Sequence, residues 1–117
     1  MLSRIAREFA AEIRNHDWSD APYRVDRAGH SREHDGSHKI EAVLDHHETG
    51  RVVTNVMWVA AQVLMHQDPN LDLEQFAEAC GVPDRIIHKS DGKVSGYLTN
   101  GIRRDENGAA MAPDMSE

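Results

Sequence analysis

Histidine is the side chain in this sequence with the clearest capacity for chemistry, since eight histidines occur in 117 residues. His30, His34 and His38 follow one another at intervals of four residues, which would bring their imidazoles together on one face of a helix. Imidazole nitrogens bind zinc and other transition metals. The spacing suggests a metal site, and solvated loop histidines are the alternative because Gly29 and Gly36 interrupt a continuous helix here.

Two short segments add further ligand-type side chains, His34-Asp35 and Asp45-His46-His47-Glu48. They resemble fragments of metal phosphoesterase signatures, in which paired metals activate water for attack on phosphorus. The resemblance covers dipeptides and tripeptides, while the further aspartate motifs and the larger scaffold of those enzymes are missing. It implies a small metal-dependent hydrolase as one alternative. The remaining sequence favours a protein that is not an enzyme and needs no cofactor.

A second pattern runs from Leu73 to Ser90, with Ala77 where two helices would cross and Gly81 at the turn between them. Apolar residues stand at offsets that place them beneath both helices: Phe76, Cys80, Val82 and Ile87. The segment resembles a DNA-binding helix-turn-helix. The resemblance implies that a recognition helix would present base-contacting side chains from Arg85, His88 and Lys89. It would leave phosphate contacts to Lys93, Arg103 and Arg104.

Charge bears on the DNA-binding hypothesis in two ways. The net charge of −7 is unusual for a nucleic-acid binder, because clustered lysine and arginine drive phosphate binding. Residues 82–104 nevertheless carry five basic and two acidic side chains, a local excess of +3. Ser90 departs from the motif, and Asp91-Gly92 would end the second helix after about two turns. DNA binding is therefore an alternative function.

The segment from Trp18 to Arg32 contains residue types that are enriched at interface hot spots. These are Trp18, Tyr23, Arg24, Arg27 and Arg32. The alternative is that the aromatic side chains pack the loop onto the helices while Arg24 and Arg27 pair with Asp20 and Asp26. A protein partner bound through this loop is the function that we favour.

Helical periodicity defines the element before this loop. Apolar residues recur at intervals of three and four: Leu2, Ile5, Ala6, Phe9, Ala10 and Ile13. They predict an amphipathic helix that ends near Asn15. Residues 16–37 show no such period and form a long predicted loop, within which a single helical turn around Ser31 to His34 is possible.

Three more helices are predicted between residues 37 and 81. Ser37 could cap a short helix that continues to a turn at Thr49 and Gly50. Thr54 could then cap a central helix up to His66 that is apolar on nearly every side. Asp72 is a clear N-cap for a helix from Leu73 to Cys80, and Gly81 follows it as a C-terminal cap.

Two structures are possible for residues 84–100. A short helix could begin at Pro83 and run through Lys89. Alternatively, Ile86 to Lys89 could pair with Lys93 to Tyr97 in a β-hairpin that turns at Asp91-Gly92. Beyond them, the sequence predicts a disordered acidic tail over residues 105–117, which leaves residues 1–104 as a single helical domain.

Composition sets the fold class and the compartment. Six aromatic residues and a core of aliphatic residues predict a mainly α fold, a compact bundle of four or five short helices with a small C-terminal hairpin as an option. The single cysteine, Cys80, cannot form an internal disulfide, which favours the cytoplasm. The apolar run from Val56 to Met65 is too short to cross a bilayer.

The overall composition and layout of the sequence allow one further comparison. A small, acidic, arginine-rich chain with one long loop resembles small proteins of actinobacteria and their phages. The resemblance involves no defining motif, so it carries over no functional residues. It favours a regulatory protein that acts by protein–protein interaction.

Overall fold

The computed structural model describes residues 1–36 and 40–116 of the chain. These residues form five α-helices: α1 (Arg4–Asn15), α2 (His46–Gln67), α3 (Leu73–Cys80), α4 (Asp84–Ile87) and α5 (Gly96–Thr99). Two 3-10 turns, Ala21–Tyr23 and Arg32–His34, lie between α1 and α2. Isolated β-bridges occur in the described residues, but no extended strand does. The predicted small, mainly helical bundle is confirmed.

Helix α1 ends at Asn15, as its periodicity predicts. The Ser3 hydroxyl caps it by accepting a hydrogen bond from the Ala6 amide at 3.2 Å. Ala6, Ala10 and Ile13 are buried. Because two of these three side chains are small, the backbone of α1 can come close to α3, which is the helix it contacts most.

Helix α2 begins at His46, well before the predicted start at Thr54. Asp45 and Glu48 form a capping box, in which the Glu48 amide donates to Asp45 Oδ1 at 2.8 Å and the Asp45 amide donates to Glu48 Oε1 at 3.0 Å. The Thr54 hydroxyl donates instead to the Gly50 carbonyl one turn earlier, at 2.7 Å. Thr54 is therefore inside the helix, and the prediction of its N-cap role is wrong.

Gly50 was predicted to mark a turn, and the structure places it inside α2. A Cβ atom at this position would lie 2.8 Å from Pro83 Cγ, so glycine allows the segment before α4 to pack on the helix. The predicted short helix ending at this turn is also wrong for residues 40–45, which are not helical. Its predicted cap, Ser37, lies outside the described residues.

Helix α3 and its boundaries match the prediction. Asp72 Oδ1 accepts a hydrogen bond from the Gln75 amide at 3.0 Å, and Gly81 ends the helix with a φ of 88°. The helix buries Phe76 and Cys80 completely against α1 and α2. No helix in the described parts of the chain is both long and apolar enough to cross a membrane.

Residues 84–100 combine parts of both predicted alternatives. Helix α4 is a single turn, and after it His88 and Val94 form an antiparallel bridge around a turn in which Gly92 has a φ of 85°. The hairpin is therefore reduced to one bridge, and α5 follows it. Leu98 of α5 is fully buried in the common core.

The disordered tail over residues 105–117 stays a prediction, and hydrogen bonds from one side chain of α2 reach the segment after residue 102. Gln62 Nε2 donates to the carbonyl groups of Arg103 and Met111, at 3.0 and 2.9 Å, and Gln62 Oε1 accepts from the Arg103 amide at 2.9 Å. Arg104 and Ala110 form a further β-bridge. One glutamine on α2 thus holds residues 103 and 111 against the bundle.

Candidate functional site

An open apolar groove with a volume of about 810 Å³ lies between α1 and α2. Its α1 side is formed by Ile5 and Phe9, and its α2 side by Val59 and Val63. Val59 is 73% exposed, and the other three side chains are about half exposed. The more deeply buried Leu64 also lines the groove. Clustered apolar surface of this kind marks interaction sites on folded proteins.

The sequence of α2 explains why this apolar surface remains outside the core. One stripe of the helix, which includes Val53 and Met57, is buried in the bundle. A second stripe has intervals of three and four residues and lines the groove: Val56, Val59 and Val63. Alternating intervals of three and four are typical of a helix that packs along another helix. The sequence predicts a central helix that is apolar on nearly every side, so its pattern does not reveal which face stays exposed.

The loop between α1 and α2 closes one end of the groove. Ile13 and Val56, which line the groove, also line an adjoining hollow of about 310 Å³ together with Trp18. The carboxylates of Glu12 and Asp26 border the same hollow. Glu12 is exposed at this end of the apolar surface, whereas Asp26 is paired with Arg24 at 2.9 Å.

Trp18 is packed, as the alternative for the loop expected. Its indole Nε1 donates to the Ile13 carbonyl at 2.8 Å, and its ring centroid lies 4.2 Å from that of His16. Tyr23 is half exposed and Arg27 is exposed. Of the predicted partner-binding residues, Trp18 reaches the end of the groove, while Tyr23 and Arg27 face solvent.

Asp20 and His30 form a buried ion pair inside this loop. His30 Nε2 lies 3.0 and 3.1 Å from the two carboxylate oxygens of Asp20. His30 Nδ1 lies 3.5 Å from Asp26 Oδ1 and 3.6 Å from Asp35 Oδ1. Burial by itself lowers the pKa of His30, but the hydrogen bond and charge of Asp20 and the charges of Asp26 and Asp35 raise it overall. Carboxylates at both ring nitrogens favour the doubly protonated imidazolium.

Two arginines supply the other positive charges of this network. Arg24 bridges Asp26 and Asp35, with N–O distances of 2.9 and 3.2 Å. Arg32 Nε lies 3.6 Å from Asp20 Oδ2. Both arginines were predicted to contact a partner, but the structure directs them into the loop.

Asp17 fixes the start of the loop through backbone hydrogen bonds. Its Oδ1 accepts from the Ser19 amide at 3.0 Å and from the Ser19 hydroxyl at 2.6 Å, and its Oδ2 accepts from the Arg32 amide at 3.3 Å. Burial raises the pKa of Asp17, but these hydrogen bonds outweigh burial and lower the pKa overall. Asp17 therefore joins Ser19 and Arg32 within the loop as a carboxylate.

The three histidines of the predicted metal site have different surroundings. His30 is engaged with Asp20, and His34 is exposed at a polar hollow that His30 and Asp35 also line. His38 lies outside the described residues. Asp20, Asp26 and His30 offer atoms close enough to share a cation, but Arg24 and Arg32 already provide positive charge there. The predicted three-histidine site stays a prediction.

The predicted DNA-contacting residues do not share one helix. Helix α4 contains only Arg85 of this set, while His88 and Lys89 follow it. Lys89 Nζ lies 3.6 Å from Asp91. The side chain of Arg104 donates to the Gly108 carbonyl at 3.2 Å.

The remaining two predicted phosphate contacts are Lys93 and Arg103, and both are exposed. Their backbone amides are used within the fold. The Lys93 amide donates to Asp91 Oδ1 at 3.0 Å, and the Arg103 amide donates to Gln62. The predicted DNA-contacting residues therefore lie on the short α4 and on the segments after it, and DNA binding stays a prediction.

His88 joins a second charged cluster, on α3 and α4. Its Nε2 lies 2.6 Å from Glu74 Oε1 and 3.9 Å from Glu78 Oε1, and its Nδ1 lies 2.6 Å from Asp84 Oδ1. The hydrogen bonds to Glu74 and Asp84 raise the pKa of His88. The helix-turn-helix resemblance implied a DNA-facing His88. Its contact with Glu74 could not be predicted, because the two residues are 14 positions apart and no local pattern links them.

Comparison with known proteins gives no match for this chain among protein families, curated proteins or solved structures.

Proposed function

We propose that this protein is a regulator that acts by binding an amphipathic helix of a partner protein in the groove between α1 and α2. The observation that carries the proposal is the exposed apolar surface formed by Ile5, Phe9, Val59 and Val63. Burial of apolar surface yields about 25 cal/mol for each Å² removed from water, so covering these side chains favours association.

The shape and spacing of the groove support a helix as the occupant. The groove side of α2 extends from Asn55 to Gln67, which corresponds to a length of roughly 18 Å at 1.5 Å per residue. About three turns of a partner helix fit this length. The spacing of three and four residues between Val56, Val59 and Val63 is suited to side chains from a second helix that insert between them.

Charge supports a partner helix with basic flanks. The chain carries a net charge of −7, and the exposed Glu12 borders the end of the groove nearest the loop. Lysine or arginine beside the apolar face of the partner would meet this carboxylate. Such complementarity raises association rates and determines the orientation of the helix.

A photo-crosslinking amino acid at position 59 tests the proposal in extract from the source organism. We expect one crosslinked segment, with apolar residues at helical spacing and basic residues beside them. A synthetic peptide of that segment should bind the unmodified protein, and Val59→Asp should weaken binding at least tenfold, which corresponds to about 1.4 kcal/mol. Val59 is mostly exposed, so this variant should keep the fold, as circular dichroism can verify.

Val25 provides the matched control because it is fully exposed in the loop and does not line the groove. Val25→Asp should bind the peptide as the unmodified protein does. Equal weakening by both variants, or a crosslinked segment without an apolar face, would contradict the proposal. Sedimentation equilibrium adds a further check: a dimer at micromolar concentration that Val59→Asp dissociates would mean that a second copy fills the groove instead.

A double variant in the loop extends the same experiment. Tyr23 and Arg27 remain accessible in the structure and belong to the interface predicted from sequence. Replacing both with alanine should weaken peptide binding if the partner extends beyond the groove onto the loop. Unchanged binding would restrict the interface to the groove.

A further inference from the structure

The charged cluster around His88 brings together side chains from three parts of the chain. Glu74 and Glu78 are one turn apart on α3 and so project from the same face of that helix. His88 follows α4 and reaches back to them, with Nε2 at 2.6 Å from Glu74 Oε1 and 3.9 Å from Glu78 Oε1. One atom from each of the three residues lies within 4.8 Å of the other two.

Asp84 orients the imidazole from the opposite side. Its Oδ1 lies 2.6 Å from His88 Nδ1 and accepts a hydrogen bond from it. In metal sites a ligating histidine usually donates its second ring nitrogen to a carboxylate, which fixes the ring and the tautomer. Carboxylates at both ring nitrogens favour the imidazolium here as they do at His30, so an ion that binds Nε2 would displace the proton that Nε2 shares with Glu74.

The balance of charge distinguishes this cluster from the one around His30. In the loop, Arg24 and Arg32 lie beside the carboxylates. At His88, three carboxylates surround one imidazole, and no lysine or arginine of residues 1–36 and 40–116 forms an ion pair with them. The cluster therefore has an excess of negative charge that a cation would offset.

We propose that Glu74, Glu78 and His88 form a binding site for a divalent transition-metal ion of the zinc type. Bonds of 2.0 to 2.2 Å in tetrahedral geometry require neighbouring ligand atoms to be about 3.4 Å apart. The distances of 2.6 and 3.9 Å from His88 Nε2 lie on either side of that value. A shift of less than about 1 Å in each glutamate side chain therefore meets the requirement.

The accessibility of the ligands suits a site with an open position. The side chains of Glu74 and Glu78 are 38% and 52% exposed, whereas that of His88 is 18% exposed. The glutamates can therefore adjust while the imidazole stays in place, and water can occupy the fourth position. A bound ion would link α3 directly to the residue after α4.

Zinc titration of tag-free protein tests this proposal, with isothermal calorimetry as the measurement. We expect one equivalent of Zn²⁺ to bind and Mg²⁺ not to bind, because magnesium prefers six oxygen ligands. Co²⁺ should give the visible absorption of a tetrahedral site. Substitution Glu78→Gln should weaken zinc binding at least tenfold.

Glu78 is the informative position because its carboxylate is 3.9 Å from His88 and makes no hydrogen bond with the described residues that the metal-free fold would lose. Glu106→Gln changes an exposed glutamate outside the cluster and should bind zinc as the unmodified protein does. His88→Ala should abolish binding, with circular dichroism to check folding. The absence of stoichiometric zinc binding, or equal affinity of Glu78→Gln and the unmodified protein, would overturn the proposal.

Discussion

Asp20 and His30 are ten residues apart in the loop between α1 and α2, and both carboxylate oxygens of Asp20 lie within 3.1 Å of His30 Nε2. The pair is buried in a segment with little regular secondary structure. Few backbone hydrogen bonds occur there, so ion pairs provide much of the order that the hydrogen bonds of a helix or strand provide elsewhere. The loop can thus be ordered although its backbone is irregular.

The first prediction is a dependence of stability on pH. Because the folded protein raises the pKa of His30, the stability that its protonation contributes is complete below the unfolded pKa of about 6.5 and is lost as the pH rises through the folded pKa. We expect the free energy of unfolding in urea to decrease above about pH 6.5. His30→Gln should show a smaller decrease over the same range. Parallel profiles for the two proteins would contradict this role.

The second prediction concerns Gln62 and the C-terminal segment. Replacement by alanine removes three hydrogen bonds to the backbone of Arg103 and Met111, and should lower the free energy of unfolding by about 2 kcal/mol. Hydrogen exchange at the Arg103 amide should become faster. Gln67→Ala, at an exposed position of the same helix, should change stability by less than about 0.5 kcal/mol. Similar losses in the two variants would argue against this anchoring.

The third prediction compares two glycines near the C-terminus. A Cβ atom at Gly101 would overlap the indole of Trp58, so Gly101→Ala should destabilise the protein by about 1 to 3 kcal/mol. Gly96 lies in α5 with open space around it, and Gly96→Ala should be neutral or stabilising by up to about 1 kcal/mol. Thermal unfolding measures both. A stable Gly101→Ala protein would mean that the indole can move aside.

The fourth prediction concerns Cys80. Burial raises the pKa of its thiol to about 12, and the side chain is fully buried. Thiol reagents should therefore react slowly with the folded protein at pH 8, roughly the pKa of a free thiol, and rapidly after denaturation. Fast reaction of the native protein would show that α3 opens readily.

The helix boundaries show what the sequence could and could not predict. The aspartate and glycine caps correctly marked α3, since a cap depends on side chains within four residues, whereas the end of α1 followed from its periodicity. The start of α2 was missed although Asp45 and Glu48 have capping-box spacing, because Thr49-Gly50 was interpreted as a turn. Gly50 is required instead by the approach of Pro83, a contact across the fold that no local pattern contains.

The candidate sites likewise combine features that the sequence shows with contacts that depend on the folded chain. The second valine stripe of α2 was present in the sequence, but its exposure depends on how far α1 covers the helix. Asp20 with His30, and Glu74 with His88, are pairs separated by ten and 14 residues that meet only because the loop and the α3–α4 turn fold back. Periodicity cannot predict such contacts, since neither pair of side chains lies within one helix.

The two tryptophans are anchored to opposite parts of this fold. Trp18 donates to the Ile13 carbonyl at the loop end of the groove, whereas Trp58 donates to the Leu98 carbonyl of α5 at 3.0 Å. Each indole is partly buried and is held by one hydrogen bond. Single-tryptophan proteins would therefore give two separate emission signals, one for events at the groove and one for opening of the C-terminal half.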